Sequence, residues 1–455
     1  MANVPQQLLN SLKGIKGYDE QAFVASHNTS PITSVRVHPV KGAKLFSEDE
    51  AVPWCTSGHY LQERPQFTLD PLFHAGAYYV QEASSMFLDH ALRFVLQDKK
   101  GMRVLDLCGA PGGKSTLIAS LLDEESLLVS NEVIRSRASI LEENMSRWGY
   151  MNTWVTSNDP KDIGKLSGYF DVIVVDAPCS GSGMFRKDEK AIDEWSEGNV
   201  ALCSERQQRI LADVWPALKE NGILVYSTCS YSTEENEAIA DKLAEDFEVE
   251  GIRIPIEEEW GVIETLSEQK NIPCYRFYPH KVKGEGLFMT AMRKTGSAGV
   301  LKQKRQKPIN DKKAHDTSKH LLNTEDFSCI LHKEQYCAIR SYHEEDYSLL
   351  QQYVYLRKVG VELGIPVKND WVPAHDLALS VGRSNSVANV DVTKEQALKF
   401  LKKEDPMLGE LEKGWYCVSY MGCGLGWIKA LGNRVNNYLP KHWRIRMEIS
   451  DTDWA

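Results

Sequence analysis

The sequence predicts an α/β protein built on a doubly wound, Rossmann-like parallel sheet. Between residues 103 and 247, short apolar runs alternate with segments of helical period. The first run, Val104-Leu105-Asp106-Leu107, passes straight into a glycine-rich turn, Cys108-Gly109-Ala110-Pro111-Gly112-Gly113-Lys114, and Ser115–Leu122 then begins a helix. Two later runs end in turns of small polar residues, and such a sheet binds ligands beyond the carboxyl ends of its strands.

Residues 1–98 read as an N-terminal α/β domain. It holds a short helix at Gln6–Lys16, an alternating strand at Ser34–His38 and an aromatic stretch, Phe73–Val80, that leads into a helix over Ser84–Leu96. Lys99-Lys100-Gly101 marks the boundary with the sheet domain, residues 99–295. Strands are expected at Arg103–Leu107, Leu127–Asn131, Thr153–Ser157, Phe170–Asp176 and Ile223–Ser227, with pieces near Glu250–Ile254 and Leu287–Arg293 completing the sheet. Helices are expected at Ile134–Trp148, where Ile134, Ala138, Leu141, Met145 and Trp148 keep helical spacing, and at Glu205–Lys219 and Glu234–Phe247.

Residues 296–320 carry Lys302, Lys304, Arg305, Lys307, Lys312, Lys313 and Lys319 against Asp311 and Asp316, and few large apolar residues. They read as a solvated linker, with a basic tether to RNA phosphate as the other reading. A connecting unit, 321–374, and a C-terminal unit, 375–455, follow. The strand-like pieces Gly414–Tyr420, Gly424–Ala430 and Trp443–Ile449 suggest a small β-barrel in the latter.

A chain of 455 residues is long enough for several cores. No run of about 18 apolar residues is present, and Met1–Leu12 lacks the basic and apolar parts of a signal peptide, so a cytoplasmic location and no membrane partner are expected. Ten cysteines without a C-x-x-C pair argue against a zinc site and a disulfide scaffold, and no metal is expected. The net charge of −10 does not favour nucleic acid, but a local basic surface can override the total. Arg186 and Lys187 are candidates for one, as is the stretch from Lys302 to Lys319.

The glycine turn selects a ligand class by elimination. A phosphate-binding loop needs glycine where Cys108 stands, and Gly109, Gly112 and Gly113 have the wrong spacing for a dinucleotide fingerprint. A nucleoside-type ligand remains. Glu132, at the end of the second strand, is placed to accept ribose hydroxyls, although it also suits a helix N-terminus. Asp159 follows the third strand, where an adenine amino group would lie, in a sequence that is also an ordinary turn.

The fourth strand ends in Asp176-Ala177-Pro178-Cys179-Ser180-Gly181 and the fifth in Ser227-Thr228-Cys229-Ser230-Tyr231. Two cysteines at adjacent strand ends can face one site. Methylation of cytosine at carbon 5 wants this arrangement: a thiolate adding at carbon 6 makes carbon 5 nucleophilic toward a methyl sulfonium. Asp176 would stabilise the activated base, and a second polar group would help remove the carbon-5 hydrogen. A base held in a helix would have to be flipped out. Phe185, Trp195 and Tyr231 are candidates to stack on it, although ordinary packing is the favoured reading of each.

These motifs, with Tyr79-Val80-Gln81-Glu82-Ala83-Ser84-Ser85, resemble the RNA 5-methylcytosine methyltransferases of the NOL/NOP/Sun group over about residues 1–295. The resemblance implies a class I methyltransferase sheet, S-adenosylmethionine as cofactor, Cys229 as nucleophile and Cys179 as the residue that assists product release. Cofactor contacts are implied from Cys108, Gly109, Ala110, Pro111, Gly112, Gly113 and Lys114, and from Glu132, Asp159 and Asp176, with help from Arg137. The length and C-terminal extension are similar to the F type of bacterial small-subunit ribosomal RNA methyltransferases. That likeness implies decoding-region cytosines of 16S rRNA, free or in the 30S subunit, as target, an RNA-binding N-terminal domain and a PUA-like RNA-binding barrel, in a monomer. His38 departs from the family, which often has Asn there, and bears on the N-terminal RNA-binding surface. Two alternatives stand beside this reading: a catalytically idle RNA-binding assembly factor with the same fold, and a nucleotide hydrolase built on Gly113-Lys114-Ser115.

Overall fold

In the computed structural model, which describes residues 4–97, 99–301, 309–368 and 370–449, ten strands form one central sheet. Its parallel heart comprises β1 (Arg103–Asp106), β2 (Leu127–Asn131), β3 (Thr153–Thr156), β4 (Phe170–Asp176) and β5 (Leu218–Thr228), side by side as β3-β2-β1-β4-β5. Every residue of β2 is buried, as expected of a strand covered on both faces. Helices α1 (Gly113–Leu121), α2 (Arg135–Trp148), α3 (Pro160–Ile163), α4 (Glu197–Val214) and α5 (Glu237–Asp246) supply the connections. Neighbouring strand residues divide between two cores: Leu105, Val129, Trp154, Ile173 and Leu224 pack on one face, and Val104, Leu128, Val155, Val172 and Val225 on the other. The doubly wound expectation therefore holds. Strand order reverses between β1 and β4, which opens a crevice at their carboxyl ends.

The sheet is mixed rather than parallel throughout. β6 (Ile263–Leu266), β7 (Pro273–Phe277) and β8 (Leu287–Lys294) continue it antiparallel beyond β5, and Val249–Gly251 pairs with β8. Their links are too short for a crossover of about a dozen residues, so hairpin pairing results. At the opposite edge β9 (Leu356–Lys358) pairs antiparallel with β3. Residues expected to form a separate connecting unit thus contribute a strand to the central sheet.

Other expectations need correction. The helix expected at Glu205–Lys219 is α4, which starts earlier because Ser196 caps it by accepting from the Asn199 N–H. It stops at Trp215-Pro216, and Lys219 already belongs to β5. The first helix ends at Ser11, and the helix expected at Ser84–Leu96 opens as a 3-10 turn, Ser84–Met86. In the C-terminal unit Gly414–Tyr420 and Cys423–Ala430 pair as expected, but their neighbour is Val435–Asn437, and Asn389–Asp391 completes a four-stranded sheet. Residues 443–449 form no strand; Ile445 is buried and Trp443, Met447 and Ile449 pack beside it. Alternation there supplies an apolar face without a ladder partner.

Residues 33–80 form a four-stranded antiparallel sheet against the catalytic domain. Of the basic stretch, Lys302, Lys304, Arg305 and Lys307 lie outside the described residues. Lys312–Ser318 is a helix capped by Asp311, with Ala314 and Ser318 buried, and is not a solvated linker. Among the described residues no helix is long and apolar enough to cross a membrane.

Candidate active site

The glycine turn leaves β1 under tight backbone control. The Gly109 N–H donates to the Asn131 carbonyl at the end of β2 (2.8 Å). Arg137 and Asn144 reach from α2 to the Ala110 and Pro111 carbonyls (2.8 and 2.7 Å). Gly112 sits at φ +118°, a region that favours glycine, and caps α1. A Cβ on Gly109 would come within 2.8 Å of Ser115 Oγ. Beneath the turn, Ser115 donates to one oxygen of Asp106 (2.6 Å) while the other, Oδ1, is buried without a partner among the described residues. Burial pushes the Asp106 carboxyl up to about 7, against the pull of Ser115.

Glu132 takes up its helix N-terminal place. One oxygen accepts the Ile134 N–H that opens α2 (2.9 Å), and the other lies 3.3 Å from Arg137. Asp159 lies after β3, where it caps α3 by accepting from the Lys161 N–H (3.1 Å) and faces Arg209 at 3.5 Å.

Cys179 and Cys229 meet across the crevice with their sulfurs 3.1 Å apart. The hydrogen bond to Cys229, with burial, drives the Cys179 thiol well above the usual cysteine range. Beside them Lys114 Nζ lies 2.8 Å from Asp176 Oδ2, and Asp176 Oδ1 accepts from Ser227 (2.8 Å). Burial disfavours the Lys114 ammonium, but Asp176, Cys229 and Asp106 outweigh it and raise its proton affinity. Burial likewise pushes the Cys108 thiol up, so that sulfur stays protonated.

Sequence reasoning missed Glu235. Its carboxylate is fully buried and accepts from the Ser180 N–H (2.8 Å), the Ser180 hydroxyl (2.5 Å), the Ser230 hydroxyl (2.5 Å) and Gln207 (3.2 Å). Ser180 follows Cys179 and Ser230 follows Cys229, so one carboxylate ties the two cysteine turns together. Asn236 braces the Cys229 turn alone, accepting from Thr228 (2.6 Å) and donating to the Ser230 carbonyl (2.8 Å). Arg36 was also missed. It is buried and donates to Gln81 (2.8 Å), Thr116 (2.6 Å) and the Gly113 carbonyl (3.3 Å), pinning the N-terminal domain to the start of α1.

Several expected surface roles do not hold. The Arg186 side chain is buried, 3.4 Å from Glu285 and bonded to the Ser30 carbonyl, so it gives no open cationic patch; Lys187 is exposed. Phe185, Trp195 and Tyr231 belong to one buried cluster with Leu8 and Phe23, and the packing reading wins. His38 is buried too: its Nε2 bonds the Trp148 carbonyl (3.0 Å) and its Nδ1 accepts the Val40 and Lys41 N–H groups, so it shapes the core rather than an RNA-binding surface.

The family described as 16S rRNA methyltransferase RsmB/F matches residues 93–293, the N-terminal domain of 16S rRNA methyltransferase RsmF matches 4–83, and the methyltransferase RsmF PUA domain matches 387–445. A ribosomal RNA small subunit methyltransferase F of Shewanella piezotolerans is 30% identical over 97% of each chain. The corresponding protein of Aeromonas salmonicida is 30% identical over 92% of each. Among solved structures, a methyltransferase homolog from Pyrococcus horikoshii is 28% identical, covers 64% of this chain and all of its own, and superposes with a TM-score of 0.51. NSun6 from the same organism is 20% identical, with a TM-score of 0.53 over 64% of this chain and 99% of its own, and shares the fold. With its class I sheet, its RsmF-type N-terminal domain and its PUA domain, the chain belongs to the RsmB/F family of S-adenosylmethionine-dependent rRNA methyltransferases.

Proposed function

We propose that this chain methylates carbon 5 of cytosine in the decoding region of 16S rRNA, with Cys229 as nucleophile and Cys179 assisting product release. The observation that carries the reading is the 3.1 Å approach of the two sulfurs at the crevice. One cysteine at a strand end is packing; two in contact, beside a Lys114–Asp176 pair and under a glycine cradle, make a reaction centre.

The turn suits S-adenosylmethionine: Gly109 and Gly112 let its backbone pack closely on Ser115, Leu141 and Asn144, where a Cβ would crowd them, and the unpartnered Asp106 Oδ1 offers an acceptor at the turn. Cys108 to Lys114, Glu132, Asp159 and Asp176 would hold it, with Arg137 in support. When bound it supplies an electrophilic methyl group on a sulfonium. The chain's own residues prepare the cytosine. Cys229 Sγ adds to carbon 6, and the released electron pair makes carbon 5 the attacking atom. Cys179, whose thiol keeps its proton, donates to the Cys229 sulfur. Asp176, held by Lys114 and Ser227, stabilises the activated base. Transfer of the carbon-5 proton to water then restores the ring double bond, breaks the carbon-6–sulfur bond and releases Cys229 as a thiolate, with the Cys179 thiol donating a hydrogen bond to the departing sulfur.

Residues 1–98 and 375–455 would bind RNA beside the catalytic unit 99–295, with 321–374 connecting, in a cytoplasmic monomer acting on free 16S rRNA or the 30S subunit. The test is incubation with methyl-labelled S-adenosylmethionine and each substrate, followed by nucleoside mass spectrometry. The expected product is 5-methylcytidine. Label on another base would overturn the cytosine reading, and no transfer to either substrate would favour an idle RNA-binding assembly factor.

A further inference from the structure

A second concavity lies on the far side of the glycine turn, between residues 64–80 and the C-terminal half of α2. It encloses about 380 Å³, enough for a ligand of nucleotide size. Phe67, Phe73, Tyr78 and Tyr79 supply aromatic walls and Arg64 and Arg147 the cations. The centroids of Phe67, Phe73 and Tyr78 are 6.0–6.2 Å apart, so the three rings line one region. No Asp or Glu lines the cavity, in a chain whose net charge is −10.

Arg64 is not spent on structure, whereas the Arg147 guanidinium already lies 4.6 Å over the Trp443 ring. Arg64 is exposed and lies 5.5 Å over the Phe67 ring. Arg147 donates to Asn144 (2.9 Å) and stands 3.7 Å from Glu143, but its Nε is buried with no hydrogen-bond partner among the described residues. Aromatic faces with an unspent cation at Arg64 and no carboxylate in the lining select a flat π-system that carries negative charge. The cavity also adjoins the glycine turn. Asn144 bonds the Pro111 carbonyl, and the Tyr79 ring lies 3.4 Å from where a Cβ on Gly113 would stand, one residue before Lys114.

We propose that this cavity holds an unpaired nucleotide of the substrate RNA next to the target cytosine, its base against the aromatic walls and its phosphate at Arg64 and Arg147. The proposal rests on the RNA-methylating reading above and adds a subsite to it. An occupant there would press on Asn144 and so on the glycine turn, linking correct RNA seating to cofactor geometry.

The test uses the full chain with Arg64→Ala and Arg64→Glu, which remove no hydrogen bond or ion pair seen among the described residues. The KM for 16S rRNA should rise about tenfold in the first variant, the loss expected of one stacked, charge-assisted nucleotide, and further in the second. The kcat and the affinity for S-adenosylmethionine should change far less. A 16S rRNA fragment carrying 4-thiouridine should photocrosslink within residues 64–80. Unchanged KM in both variants, or crosslinks that avoid 64–80, would overturn the proposal. So would 5′-AMP that binds the unaltered chain and is lost with Arg64→Glu while RNA affinity stays constant, since that assigns the cavity to a free nucleotide. If the unaltered chain transfers no methyl group, the crosslink alone decides: adducts at 64–80 keep the subsite while the methylation reading fails.

Discussion

The sulfurs of Cys179 and Cys229 stand 3.1 Å apart across a gap of 50 residues in the chain. Parallel pairing of β4 with β5 brings the strand ends level, with Asp176 opposite Ser227. The turns beyond are then drawn together by Glu235, which binds the residue after each cysteine. No cation pairs with this buried carboxylate among the described residues; hydrogen-bond donors alone hold it.

Replacing Glu235 by Ala leaves the Ser180 N–H unpaired in the interior and the Ser180 and Ser230 hydroxyls with only each other, 3.2 Å apart, to donate to. A loss of about 2–4 kcal/mol in unfolding free energy is expected, with kcat lowered about a hundredfold as the sulfurs separate, each tenfold loss corresponding to about 1.4 kcal/mol of barrier. Glu235→Gln, which keeps an acceptor, should lose less of both. Urea titration and single-turnover methyl transfer check the pair; an unaltered kcat in Glu235→Ala would show that the turns hold their register without it.

Asp106 gives stability a pH dependence. Its folded carboxyl titrates near 7, above the ordinary value, because it is buried. The folded state therefore binds a proton that the unfolded chain has released. The contribution is present below the unfolded value near 4 and is lost as pH rises through about 7. Between those limits the ligand-free protein should lose up to about 1.4 kcal/mol per pH unit relative to Asp106→Asn. Urea titrations of both proteins at pH 5 and pH 8 test this; parallel pH curves would contradict it.

Two glycine substitutions should have opposite signs. Gly112→Ala forces an L-residue to φ +118° with its Cβ 3.2 Å from Asn144; a cost of about 1–3 kcal/mol is expected, together with weaker S-adenosylmethionine binding by calorimetry. Gly198→Ala lies within α4 with nothing nearer than 3.9 Å and should stabilise by about 0.5–1 kcal/mol. Thermal unfolding of the two variants reads both signs.

Lys114→Met removes the ammonium beside Asp176 and Cys229 and leaves Asp176 without a cation within 4 Å among the described residues. A fall in kcat of at least about a hundredfold is expected, with the fold intact by circular dichroism. A kcat within a factor of about three of the parent would exclude Lys114 from the chemistry.

Much of the catalytic domain was legible because its strands are buried on both faces and so read as apolar runs. Leu127–Asn131 and Phe170–Asp176 fall where the pattern puts them. The helix α4 was displaced because its first turn, Glu197-Gly198-Asn199, is polar and contains glycine, whereas the Ser196 cap that starts it is visible only as geometry. The pairing of Leu356–Lys358 with β3 has no local signal at all, since three residues cannot announce a partner 200 positions away.

The candidate site divides the same way. Motif residues in turns after strands were found because strand ends converge in a doubly wound sheet. Glu235 sits in Thr233-Glu234-Glu235-Asn236, which reads as a polar, solvent-facing helix start; only its burial reveals its role. Arg186 and His38 show the reverse, polar residues that look available and whose side chains are buried with partners of their own.

The central claim is the division of labour between the two cysteines, and trapping measures it most directly. Cys179→Ala and Cys229→Ala are each incubated with labelled S-adenosylmethionine and 16S rRNA or 30S subunits, then scored for a denaturation-stable protein–RNA adduct. Cys179→Ala should accumulate the adduct, because departure of Cys229 is slowed, and Cys229→Ala should give neither adduct nor 5-methylcytidine. Methylation by Cys229→Ala would contradict the account and assign the nucleophile to Cys179.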